Sequence, residues 1–180
     1  QTQDPLNPLD NAAVTSQMAQ ISTVQGIEKL NQSMTSLSEM YKSSQSVAAA
    51  ALIGHIALAN GSQMQLASGK AVAGVDLAKN ADKVTINVND AAGKTVYTET
   101  LTNQQAGVLQ FQWDGKDGNG NQLADGSYSI SVNAAQGDTA VEATPLAYST
   151  IQAMSWNNGT PVLHLANGKE TSMDAIRQLI

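Results

Sequence analysis

The densest set of oxygen ligands in the 180-residue chain is the loop Asp114-Gly115-Lys116-Asp117-Gly118-Asn119-Gly120-Asn121. Counted from Asp117, Asn119 and Asn121 fall at calcium-hand spacing. Gln122 then stands where a sharp turn needs glycine, and Tyr128 where a bidentate glutamate is needed. The loop therefore reads as a turn in which Asp, Asn and Gly supply left-handed backbone, and no metal site is expected. His55 and His164 are the only histidines; each falls in an apparent strand without a second ligand near in sequence. No Gly-x-Ser-x-Gly elbow, phosphate loop or dinucleotide fingerprint is present. Any two acids could meet in space, but no spacing selects a catalytic pair. No catalytic residue and no cofactor is assigned, and the chain reads as a non-enzyme.

Composition narrows the remaining classes. Net charge is -6 and only 13% of residues are charged. The nine basic residues are scattered, so no stripe exists for a phosphate backbone, and nucleic acid is excluded as a partner. Cysteine is absent, which removes disulfides and thiolate metal sites. No apolar run reaches the roughly 20 residues of a membrane span, so insertion is not expected.

The first element to position is a long helix. Pro5 and Pro8 bias residues 1–9 toward an extended lead-in, and Asp10 or Asn11 is the expected N-cap. From Ala12 to about Ala50 no proline interrupts. Val14, Met18, Ile21, Val24, Ile27, Leu30, Met34, Leu37 and Tyr41 follow in steps of three and four, close to a coiled-coil seam. The opposite face is Ser, Thr, Gln and Asn, which favour helix weakly, and Gly26 costs about 1 kcal/mol relative to alanine. Such a helix needs neighbours. Its seam either closes an intramolecular bundle or packs on another chain.

After Ala50 the period changes to two. Leu52–Leu58, Gln63–Ala67 and Lys70–Leu77 read as a three-strand meander turned at Asn60-Gly61 and Ser68-Gly69. From Asp82, alternating runs (Val84/Ile86/Val88, Lys94–Leu101, Leu109/Phe111/Trp113, Tyr128/Ile130/Val132) read as a sandwich with Trp113 and Tyr128 in its core. Leu146–Ser155, a turn at Asn157–Gly159, Val162–Leu165, a turn at Asn167-Gly168 and a short helix capped by Ser172 complete the chain.

The segments "QDPLNPLDN" (Gln3–Asn11) and "TSQMAQISTVQGIEKLN" (Thr15–Asn31) resemble the signature of the bacterial flagellar hook-capping family, the hook assembly scaffolds. "LIGHIALA", "VTINVNDAAGKTVYTETL" and "FQWDGKDGNGNQLADGSYSISV" follow in the family's order, and the resemblance covers nearly the whole chain. The family usually carries an apolar segment before the Gln-Asp-Pro motif, where this sequence begins.

The resemblance implies a mainly β fold with a long N-terminal α-helix, and an immunoglobulin/fibronectin-III-like sandwich inserted into a small tudor-like β-barrel. The expected divisions are a lead-in and helical oligomerisation arm at 1–50, a barrel from 51–77 plus 145–180, and a sandwich at 78–144. It implies export through the flagellar type III channel from the bacterial cytoplasm. An oligomeric cap at the distal, extracellular tip of the growing hook would then retain hook subunits and promote their polymerisation. The implied partners are further copies of the chain, hook subunits, later hook–filament junction proteins and, during secretion, the export apparatus. On this reading Ile21, Val24, Ile27, Leu30, Met34 and Leu37 form the partner interface. The alternative is a secreted β-sandwich module that binds carbohydrate or protein while attached to another protein; a hydrolase built on unlinked acids is a third reading.

Overall fold

The computed structural model describes residues 8–180, with side-chain surroundings from Ala13 onward. The described residues are mainly β, with one long α-helix at the N-terminal end. The described residues up to Val47 and residues 48–180 form two separate compact units.

Helix α1 runs from Pro8 to Ala50. The expected lead-in over residues 1–7 lies outside the described residues. Asp10 and Asn11 both lie within the helix, so neither is its N-cap. Hydroxyls along the helix bond back one turn: Thr23 Oγ1 donates to the Ala19 carbonyl at 2.8 Å, Ser33 to Lys29 at 2.8 Å, Thr35 to Asn31 at 3.0 Å and Ser46 to Lys42 at 2.7 Å. These residues meet their hydrogen-bonding needs within the helix.

Residues 48–180 carry twelve strands: β1 Ile56–Asn60, β2 Gln63–Leu66, β3 Ala71–Leu77, β4 Ala81–Asn89, β5 Thr95–Gln104, β6 Gly107–Trp113, β7 Gly126–Gln136, β8 Thr139–Val141, β9 Ala143–Asn157, β10 Thr160–Leu165, β11 Glu170–Thr171 and β12 Gln178–Leu179. One seven-stranded sheet runs β11-β10-β9-β1-β12, with β3 beside β9 and β6 beside β3. A five-stranded sheet runs β2-β7-β4-β5, with β8 beside β7.

The expected meander does not form. β1 pairs with β9 and β12, β2 with β7, and β3 with β6 and β9. Asn60-Gly61 is therefore a crossing between sheets and not a hairpin. Gly61 donates its amide to the Pro145 carbonyl at 3.0 Å, and a Cβ there would lie 3.1 Å from that of Ala147. This glycine serves close approach to β9 rather than a positive φ. The two-residue hairpin chemistry operates instead at Asn158-Gly159, both at positive φ, between β9 and β10. His55 likewise lies in a turn and not in a strand. Residues 51–77, expected to belong together with 145–180, divide between two clusters. Met64, Leu66, Ala71, Ala73, Val75 and Leu77 share a core with Val84, Ile86, Val88, Phe111, Trp113 and Ile130. Ala57 and Ala59 join Ala49, Ile151, Leu163 and Leu165 in a second cluster.

Alternation explains the first cluster: every second residue of β4 from Val84 to Val88 is buried and faces β3 and β6 of the other sheet. Trp113 packs edge-on to Tyr128 at 5.0 Å between ring centroids and stacks on Tyr97 at 6.3 Å. Its indole N–H donates to the Lys116 carbonyl at 2.8 Å, and the Tyr128 hydroxyl to the Ala124 carbonyl at 2.9 Å. Both aromatic tips are thus satisfied without water. Burial, with the Glu99 and Asp114 carboxylates nearby, pushes the Tyr97 phenol above its ordinary value. The terminal helix is a single 3₁₀ turn, Met173–Ala175, and Ser172 caps no amide with its side chain. Ser172 instead hydrogen-bonds the Asp174 carboxylate, holding it below the usual aspartate range.

Because Ile86 is fully buried, Ile86→Ala should cost roughly 2–5 kcal/mol of stability, read as a shifted urea midpoint. An unchanged midpoint would mean the two sheets do not share this core.

Candidate assembly interface

The residues expected to bind a partner all lie on α1, and nothing among the described residues covers them. Ile21, Val24, Ile27, Leu30, Met34 and Leu37 leave between 53% and 66% of their surface open. Val14, Met18, Met40, Tyr41 and Val47 are exposed to a similar degree. Single exposed apolar residues are ordinary, but a file of them along one element marks a contact surface. The described residues contain no second α-helix, so an intramolecular bundle has no members among them. Burial begins at the last turn, where Ala49 is fully enclosed beside Leu52 and Ile151 in the second cluster.

The other candidates resolve differently. Asp117 spends its carboxylate on its own loop. Its Oδ1 accepts the amides of Asn119 at 2.9 Å and Asn121 at 2.8 Å, and its Oδ2 accepts the Asn121 side-chain amide at 3.1 Å. These bonds hold its carboxyl below the usual aspartate range. Among the described residues no three His, Cys, Asp or Glu side chains gather as a metal site.

One chain of polar groups escaped the sequence reading. His164 Nε2 lies 2.7 Å from Ser155 Oγ, and its Nδ1 lies 3.4 Å from Glu170 Oε1. The order is that of a serine–histidine–acid triad. Register creates it: β10 pairs with β9 and β11, placing His164 opposite Glu170 and two residues from the Val162–Ser155 pair. The Glu170 side chain is 65% exposed, so the acid that should be sheltered stands in water.

The comparisons with known proteins follow the same division. Residues 1–36 match the family model of the flagellar hook capping protein N-terminal region, and residues 61–138 match that of the FlgD Ig-like domain. The basal-body rod modification protein FlgD of Salmonella typhimurium is 39% identical over 186 aligned residues, covering 99% of this chain and 80% of the relative. The chain belongs to the flagellar hook-capping family. The FlgD of Escherichia coli K12 aligns equally well, with 39% identity and the same coverage. Among solved structures, FlgD from Xanthomonas campestris superposes with a TM-score of 0.58 at 26% identity, over 76% of this chain and 99% of that one. FlgD from P. aeruginosa gives 0.58 at 22% identity, over 70% and 97%, and speaks to the fold alone. Within this family the exposed file on α1 falls partly inside the N-terminal match and continues beyond it, from Leu37 to Val47.

The lowered Asp117 carboxyl sets a sign. A group whose folded pKa is depressed adds stability above its unfolded value, near 3.9 for aspartate, and loses it as pH falls through the folded value. Asp117→Asn should therefore melt earlier than the parent at pH 7, and the gap should close at low pH. A gap that persists in acid would assign the loss to packing.

Proposed function

We propose that this protein is the hook-cap scaffold of a bacterial flagellum. It is an oligomeric cap at the distal end of the growing hook that retains exported hook subunits and promotes their polymerisation. The observation that carries this reading is the bare apolar file on α1, borne by a chain of the hook-capping family. The related Xanthomonas structure is described in terms of hook capping essential for flagellar assembly. A cap must grip and release without covalent chemistry. A helix whose charges are few, and on which Thr23, Ser33, Thr35 and Ser46 bond back to their own backbone, can pack by apolar contact and let go again. The proposed partners are other copies through Ile21, Val24, Ile27, Leu30, Met34 and Leu37, the hook subunits, the later hook–filament junction proteins, and the export apparatus through which the chain reaches the hook tip. No helix among the described residues is long and apolar enough to cross a membrane.

The same reading assigns the architecture. The arm ends near residue 50, and a tudor-like barrel is formed by β1 and the segment after Pro145. A fibronectin-III/immunoglobulin-like sandwich lies between, with β3 and β9 shared at the border. Two separate buried clusters support this division, as does the immunoglobulin-like model matching 61–138.

A carbohydrate-binding module is disfavoured by its aromatics. Such a module presents an exposed platform, whereas Trp113 and Phe111 are enclosed and Tyr97 and Tyr128 pack against the same core. Trp156 stands alone as an exposed tryptophan. Methyl-lysine reading is not implied by a tudor-like barrel either, since an aromatic cage is needed and Tyr148 and Trp156 are the only aromatics in the barrel segments.

Replacing Ile27 and Leu30 together with Asp should abolish self-association and hook growth while near-ultraviolet dichroism of the β body stays unchanged. Hooks of normal length on cells carrying that double variant would sink the cap reading.

A further inference from the structure

The hairpin that joins β2 to β3 opens after one rung. Across the Ser68-Gly69 turn, Ala67 and Lys70 exchange both backbone hydrogen bonds, at 3.0 and 3.1 Å. Continued, that ladder would set Gln65 opposite Val72. Instead β3 departs to pair with β6 and β9, and β2 keeps β7 as its one strand partner. Antiparallel pairing fixes which groups this leaves free. The Ile130 amide donates to the Ser62 carbonyl at 2.7 Å, so Ser62, Met64 and Leu66 turn their backbone groups toward β7. Gln63 and Gln65 turn theirs the other way. Among the described residues no strand takes up that edge between Gln63 and Gln65.

Two cavities open along this edge, of about 410 and 440 Å³. Ile56, Met64, Gln65 and Tyr148 wall both, so they meet as one groove beside β2. The first, toward Lys70, adds Val72 and Ile180. It is largely apolar, and Ile56 and Ile180 leave 40% and 64% of their surface open. The second, toward Gln63, adds Ser127, Thr150 and Asn167 and is polar without charge. The Tyr148 hydroxyl accepts from Gln110 Nε2 at 3.4 Å and donates to Gln178 Oε1 at 3.3 Å, which fixes its ring in the wall. Lys70 is the one charged side chain in either lining, and it forms no ion pair among the described residues. Exposed edges are commonly guarded by charge. A chain with 15 acidic residues places no Asp or Glu side chain in this groove.

We propose that the free edge of β2 receives an extended segment of another polypeptide, added as an antiparallel strand. Main-chain hydrogen bonds to Gln63 and Gln65 hold the segment, and the groove selects its side chains. Charge and lining set the order of those side chains. An acidic residue lies beside Lys70, apolar residues follow over Ile56 and Val72, and neutral hydroxyl residues reach the Gln63 end. Antiparallel addition puts the acid at the N-terminal end of the segment. The site lies wholly within residues 48–180 and does not involve α1, so it goes beyond the cap reading and does not depend on it.

Amide-resolved NMR of the full chain, titrated with the capped peptide acetyl-Asp-Val-Val-Thr-Thr-amide, tests this. The amides of Gln63, Gln65 and Tyr148 should shift saturably. N-methylation of one alternate set of peptide amides should abolish those shifts, and methylation of the other set should leave them. A peptide with Lys in place of its Asp should bind several-fold more weakly, and Lys70→Glu should reverse that preference. Gln65→Pro removes one outward N–H and keeps the bonds to β7, as edge strands tolerate. It should abolish binding while the Met64 and Leu66 methyl signals stay in place. No saturable shift at millimolar peptide overturns the proposal. So do shifts confined to residues away from β2. Equal binding by the two methylated peptides also overturns it, because side-chain adhesion rather than strand addition would then hold the peptide. Self-association through Gln63 and Gln65 without peptide would give the edge to a second copy and overturn it too. If Gln65→Pro disturbs the core, the paired methylated peptides still decide.

Discussion

Strand β9 is the constraint on which the β body depends. It is the longest strand, fifteen residues, and its edges serve three others. β1 runs along one edge over residues 146–150. β3 takes the first part of the other edge and β10 the last part. Pairing with three strands satisfies the backbone along most of its length, as a buried strand requires. It also joins the two hydrophobic clusters: Ala143 packs against the core around Val75 and Trp113, and Ile151 belongs to the one around Leu163. Leu146 is fully buried where β1 and β3 flank it. Opposite it stands Gly74, where a Cβ would lie 3.3 Å from Leu146 Cβ and 3.4 Å from Leu58. The absence of a side chain there admits two leucines.

A second tie crosses the same border. Arg177 Nε bonds Asp76 Oδ2 at 2.8 Å, and the Arg177 amide donates to the Leu58 carbonyl at 2.8 Å. With both side chains partly exposed, the ion pair contributes no more than about 1 kcal/mol. Its effect is positional, setting the last residues of the chain beside β1 and β3.

The arm obeys a different logic. A body built around β9 is satisfied within itself, with no buried side-chain polar atom left unpartnered among the described residues. Helix α1 keeps its polar needs local and leaves its apolar needs open. That asymmetry separates a body complete in itself from an arm that leaves apolar surface open.

Periodicity alone determined the long helix, its apolar file and most strands, because local alternation and helical spacing depend on neighbours in sequence. Val84/Ile86/Val88 and the Trp113–Tyr128 pair were legible for that reason, and so was the hairpin at Asn158-Gly159. Asn60-Gly61 was misread because a glycine needed for close approach and one needed for positive φ look identical in sequence. Only the tertiary structure decided that β1, β2 and β3 pair with strands far along the chain, since strand partners are chosen by shared burial and not by proximity. The same long-range register placed Ser155, His164 and Glu170 in line, with no spacing to announce it. The file on α1 returns to where the sequence began. Its residues were in the sequence from the start. The structure added that the helix continues unbroken through Gly26 and that the file stays exposed among the described residues.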